Sequence, residues 1–83
     1  MAANSDTQST FIFQRITIIG IGLIGSSFSR ALKSKAGLVQ EIIATDSDKD
    51  NLAKASDLGI VDTICDDINE AVSRSDCVIL CTP

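Results

Sequence analysis

Four short apolar runs, ITII (residues 16–19), EIIATD (41–46), IVDTIC (60–65) and CVILC (77–81), alternate with stretches whose apolar residues recur at helical spacing. A strand that is apolar on both faces needs cover on both sides. The β-α-β-α-β-α-β order with short links therefore specifies a parallel sheet with right-handed crossovers. The expected fold class is α/β, a doubly wound parallel sheet of spatial order 3-2-1-4. In that order the fourth strand pairs with the first and expects further strands beside it. Left bare, CVILC would be an uncharged, proline-free edge, which proteins avoid. The 83 residues are thus expected to form an incomplete sheet, truncated before its remaining strands, or to depend on a partner.

The helical stretches are read from spacing and stop signals. Ile24, Phe28, Ala31, Leu32 and Ala36 outline the first, with Gly37 as its stop. Leu52, Ala55 and Leu58 share a face of the second, which ends at Gly59, and Ile68, Ala71 and Val72 mark the third. The polar start, MAANSDTQST, has no arginine and fits neither a secretory nor a mitochondrial signal. Residues 1–14 are read as a disordered tail, and 15–83 as one partial domain.

Composition narrows the partners. A formal net charge of −4 supplies no basic patch for nucleic acid, and no apolar run approaches a membrane span. Three cysteines without a CxxC pair (Cys65, Cys77, Cys81) read as buried reduced thiols of a cytoplasmic protein. The chain contains no histidine, which disfavours a metal site and removes the commonest general base. No metal ligand and no catalytic residue is assigned.

The chemistry lies in Gly20-Ile-Gly22-Leu-Ile-Gly25, a G-x-G-x-x-G with a strand before it and a helix after it. Gly20 turns the chain out of the strand, Gly22 lets a pyrophosphate approach the backbone, and Gly25 lets the helix pack on the strand. Amides around Leu23 and Ile24 point at the phosphates from the positive end of the helix. Asp46 closes the second strand 21 residues after Gly25, where a carboxylate accepts adenosine ribose hydroxyls. The same charge repels a 2′-phosphate, and Lys49 is the only cation nearby. The pattern points to a Rossmann-type dinucleotide site with NAD preferred over NADP.

Competing readings fit less well. A G-x-x-x-x-G-K-[ST] phosphate loop would need lysine where Ser26 stands. DSDKDNLAKASD (residues 46–57) has carboxylates at positions 1, 3 and 5 of a calcium loop, but Asn51 replaces its glycine and Asp57 its final glutamate. A methyltransferase would also use a glycine turn and an acid after the second strand. It leaves the third glycine's spacing into a helix unexplained, and it stays open as a minor alternative.

ITIIGIGLIGSSFSRALK, IIATDSDKDNLAKASDLGIVD, DDINEAV and DCVILCTP together resemble the amino-terminal NAD-binding portion of the prephenate/arogenate dehydrogenase family, over residues 15–83. The narrowest matches are the G-x-G-L-I-G-S-S run, the LGIVD step and a fourth strand ending in Thr-Pro. The resemblance implies a homodimeric, NAD-dependent enzyme of tyrosine biosynthesis that converts prephenate to 4-hydroxyphenylpyruvate by hydride transfer with loss of carbon dioxide. Arogenate, or another substrate of the superfamily, is the alternative, as is a non-catalytic nucleotide-binding fragment. Carried onto this chain, the resemblance implies that Gly20, Gly22, Leu23, Ile24 and Gly25 line the pyrophosphate. Asp46 then holds the adenosine ribose, and Thr82 and Pro83 lie near the nicotinamide ribose. The family's catalytic histidine and substrate-binding arginine have no counterpart here, so the 83 residues alone are expected to bind NAD without turning over prephenate.

Overall fold

The computed structural model describes residues 11–81. Its elements are β1 (Phe13–Ile19), α1 (Leu23–Lys33), β2 (Val39–Thr45), α2 (Lys49–Asp57), β3 (Thr63–Ile64), α3 (Ile68–Ser73) and β4 (Cys77–Leu80). The four strands form one parallel sheet in the order β3-β2-β1-β4, the expected incomplete Rossmann-type arrangement. β1 begins at Phe13, so Phe13 and Gln14 join the sheet instead of the tail, while residues 1–10 lie outside the described part. Among the described residues, no helix is long and apolar enough to cross a membrane.

The alternation of side chains along each strand separates two unequal faces. On one, Ile16, Ile18, Ile42 and Ala44 meet Leu52 and Ala55 of α2, with Ile21, Ile60 and Val61 filling the ends. Cys77, Ile79 and Cys81 of the β4 segment pack against the same cluster and are half-buried rather than fully buried as expected. On the other face, Thr17 of β1 is fully buried because its hydroxyl has partners: it donates to the Ala71 carbonyl at 3.1 Å and lies against the Ser75 hydroxyl. A hydroxyl buried without such partners would cost about 1–3 kcal/mol. The six-residue α3 leaves Val78 and Leu80 of β4 exposed on this side.

Three expectations change. β3 is two residues long, not six, because Ile60 and Val61 turn into the core. Asp62 then takes over the pairing, accepting the Ile42 amide with Oδ2 at 2.8 Å while its own amide donates to the Ile42 carbonyl at 2.9 Å. The second difference concerns α1, whose buried residues are Gly25 and Ser29; Ile24, Phe28 and Ala31 are exposed. Where the helix crosses β1 only small residues fit, and the Ser29 hydroxyl donates to the Ile60 carbonyl, while Leu32 near the helix end packs against the core as expected. The third is Leu58, which caps α2 from outside its last turn and is exposed.

Candidate cofactor site

Where β1 and β2 end side by side, the chain builds its one glycine-rich turn. Gly20 has φ 91°, a conformation that L side chains rarely adopt, and its amide donates to the Thr45 carbonyl at 2.8 Å. Ile21 then drops into the core with only 1% exposure, pinning the loop from beneath. Gly22 caps α1 with φ −56° and no side-chain hydrogen bond. Ser26 locks the turn from inside the helix, its amide donating to the Gly22 carbonyl at 2.8 Å and its hydroxyl to the Ile21 carbonyl at 2.7 Å.

This geometry leaves the first-turn amides of Leu23, Ile24 and Gly25 without a protein acceptor among the described residues. Such amides and the helix field together favour an anion, with amide hydrogen bonds to a charged group contributing about 1.5–3 kcal/mol each against about 0.3–1 kcal/mol from the dipole at an exposed site. The two other glycines have different duties. A Cβ on Gly25 would lie 2.2 Å from the Gly20 carbonyl oxygen, so this position is closed by the protein itself. A Cβ on Gly22 would meet only the Asn51 Nδ2, at 3.9 Å, and would project into the cleft. The space that a side chain at residue 22 would take is therefore left to whatever the cleft holds.

The cleft has a volume of about 490 Å³ and draws on the ends of three of the four strands, β1, β2 and β4. Gly20, Gly22, Leu23, Ile24 and Asp46, five of the residues expected in the site, line it together. Gly25 does not line it; it sits underneath, setting the distance between helix and strand. Thr82 and Pro83 lie outside the described residues, and Cys81, at the end of β4, lines the cleft on that side. Ser47 and Asn51 also line it and went unnoticed in the sequence. Asn51 could have been found, since α2 starts immediately after Asp46 and returns its first turn over the strand end. Lys49 is turned to Asp66, 3.9 Å away, and does not line the cleft.

Asp46 is held by a ring of donors. Its Oδ2 accepts the Ile21 amide at 2.9 Å and the Asn51 side-chain amide at 3.4 Å, while Oδ1 accepts the Asp48 amide at 2.8 Å. Partial burial pushes the carboxyl up, but the hydrogen bonds from Asp48, Ile21, Asn51 and Ser47 outweigh it and hold the group below its ordinary range. A carboxylate that stays ionised, fixed against the glycine turn, can accept hydroxyls and repel phosphates. The residues present thus fit a dinucleotide: anion-seeking amides, a backbone left bare at Gly22 and an acid one strand away.

Residues 15–83 match the family model described as NADP oxidoreductase, coenzyme F420-dependent. The chain belongs to that family. Over 74 residues it is 39% identical to the cyclohexadienyl dehydrogenase of Zymomonas mobilis subsp. mobilis, an alignment that covers 87% of this chain. The same alignment spans 24% of that relative, so the chain corresponds to about a quarter of its length. Both findings support the resemblance to the prephenate/arogenate dehydrogenases. As a family member, the chain is an NAD(P)-binding dehydrogenase domain.

Proposed function

We propose that the chain is the NAD-binding portion of a prephenate dehydrogenase, an enzyme that oxidises the ring carbinol of prephenate and releases carbon dioxide to give 4-hydroxyphenylpyruvate. The observation that carries the reading is the hydrogen bond from the Ile21 amide to Asp46 Oδ2, which fixes the acid of β2 against the glycine turn of β1. Bound there, NAD supplies a nicotinamide that takes the hydride. The residues of this chain seat the pyrophosphate on the amides of α1 and the adenosine ribose on Asp46. They also present Leu23 and Ile24, 86% and 73% exposed, as apolar surface beside the seat.

The name of the Zymomonas relative supports a substrate with a cyclohexadiene ring, which prephenate has. Preference for NAD follows from Asp46, because a 2′-phosphate would meet a carboxylate that is ionised at neutral pH. A homodimer in the cytoplasm belongs to the same proposal. The test is a steady-state assay of the full-length protein with prephenate and with arogenate, each against NAD and NADP. Turnover of prephenate with NAD at the highest kcat/KM is the expected result; turnover of neither acid with either cofactor would refute the reading.

A further inference from the structure

Ser26 does not line the cleft, yet it makes two bonds to the loop that does. Its amide donates to the Gly22 carbonyl at 2.8 Å, the ordinary bond of a first helical turn. Its hydroxyl reaches one residue further back and donates to the Ile21 carbonyl at 2.7 Å, and among the described residues no other group donates to that carbonyl. The peptide bonds here are trans, so each carbonyl and the amide that follows it point in opposite directions. Drawing the carbonyls of Ile21 and Gly22 toward the helix therefore turns the amides of Gly22 and Leu23 outward, toward the cleft that both residues line. Neither amide has a protein acceptor among the described residues. Two successive amides facing one concavity are an arrangement that holds an anion.

The two peptides are not equally secure. The one between Gly22 and Leu23 is held by the backbone bond that starts α1, whatever side chain stands at residue 26. The one between Ile21 and Gly22 turns about ψ of Ile21 and φ of Gly22, and glycine tolerates either orientation. Ile21 is anchored only on its other side, by its buried side chain and by its amide on Asp46. We propose, resting on the reading of the cleft as a dinucleotide site, that Ser26 is a positioning residue. Its hydroxyl fixes the peptide between Ile21 and Gly22 so that the Gly22 amide, and not the Ile21 carbonyl, faces the pyrophosphate. Without the hydroxyl, the carbonyl regains a partner by turning to solvent in the cleft, where its negative end meets the phosphates. Ser26 thus acts on the phosphates through Gly22 and leaves the ribose to Asp46.

Titration of the full chain by ¹H–¹⁵N NMR, wild type and Ser26→Ala, with NAD, ADP and adenosine tests this. Each ligand presents the ribose assigned to Asp46, and only NAD and ADP carry the pyrophosphate. Alanine is expected to weaken NAD and ADP about three- to tenfold, the worth of one modest hydrogen bond, and to leave adenosine within about twofold. A second measurement uses inorganic pyrophosphate, which is expected to move the Gly22 amide resonance downfield in the wild type and markedly less in Ser26→Ala. A loss shared equally by adenosine, as a merely structural role would give, overturns the role of Ser26 while leaving a dinucleotide site standing. Unchanged ADP binding, or a Gly22 amide that answers pyrophosphate as in the wild type, does the same. Failure of the wild type to bind NAD, NADP or ADP at all would instead overturn the dinucleotide reading, and this inference with it.

Discussion

Gly25→Ala separates what the fold needs from what the ligand needs. The added methyl would start 2.2 Å from the Gly20 carbonyl oxygen and 3.2 Å from its carbon, where ordinary contact begins at 3.4 Å. Neither neighbour is a flexible side-chain end, so α1 has to back away from β1 by about 1 Å, an overpacking that costs about 1–3 kcal/mol. The retreat also strains the bond from the Ser29 hydroxyl to the Ile60 carbonyl, worth about 0.5–1.5 kcal/mol more. Against this, alanine inside a helix gains about 1 kcal/mol over glycine. The balance is a loss of about 1–3 kcal/mol, and in a domain of this size each kcal/mol lowers Tm by about 4–8 °C. Gly22→Ala is the control: its methyl meets no protein atom closer than 3.9 Å, so stability should stay within about 0.5 kcal/mol of wild type while the methyl intrudes on the cleft. Thermal melts followed by far-UV circular dichroism, paired with NAD titrations, read both effects. A Gly25→Ala chain as stable as wild type would refute the packing argument. A Gly22→Ala chain that binds NAD normally would refute the placement of the pyrophosphate.

Asp46→Ala should weaken NAD binding and narrow the gap between NAD and NADP, since it removes both a hydroxyl acceptor and a repelling charge; an unchanged ratio of the two dissociation constants would count against the assignment. Acid should destabilise the chain through two carboxyls. Glu41 is held low first by the Thr63 hydroxyl at 2.6 Å, opposed by burial and then aided by Arg15 at 2.9 Å, and Asp46 is held low by its ring of amides despite burial. Both titrate lower folded than unfolded, where their ordinary values are 4.5 and 3.8. Their contribution is therefore complete above those values and is lost as pH falls through the lower folded ones. Urea midpoints between pH 3 and pH 6 should drop below about pH 4.5 in the wild type, and less steeply in Glu41→Gln; equal slopes would refute the role of Glu41.

Local signals carried most of the fold. Apolar β-branched runs gave the strands, and Asp48, whose side chain caps α2 at the Asp50 amide 2.9 Å away, gave that helix its start. Less legible were the places where long-range contacts decide. Nothing in IVDTIC says that Ile60 and Val61 leave the sheet, since the reason is the core they turn into, with Asp62 bonding to residue 42 in their place. Spacing in α1 favoured Ile24 and Ala31 because apolar periodicity counts size as an attraction, whereas the turns nearest β1 bury only Gly25 and Ser29 and leave the larger contact to Leu32. In the site, the glycines and Asp46 stood out because their chemistry repeats at known spacing, while Asn51 depends on where α2 folds back.

The bond between Asp46 and the Ile21 amide has a consequence for redesign. The residue that would choose between cofactors is also a clasp that joins the ends of two strands and the start of α2. Changing cofactor preference by replacing Asp46 with a cation would put a donor where two donors already point, opening the clasp while altering the charge. Asparagine or serine keeps an acceptor for one of those amides, with a positive charge then supplied from position 47, which lines the cleft without holding the turn. That route alters the charge of the site while the loop keeps a hydrogen bond at residue 46.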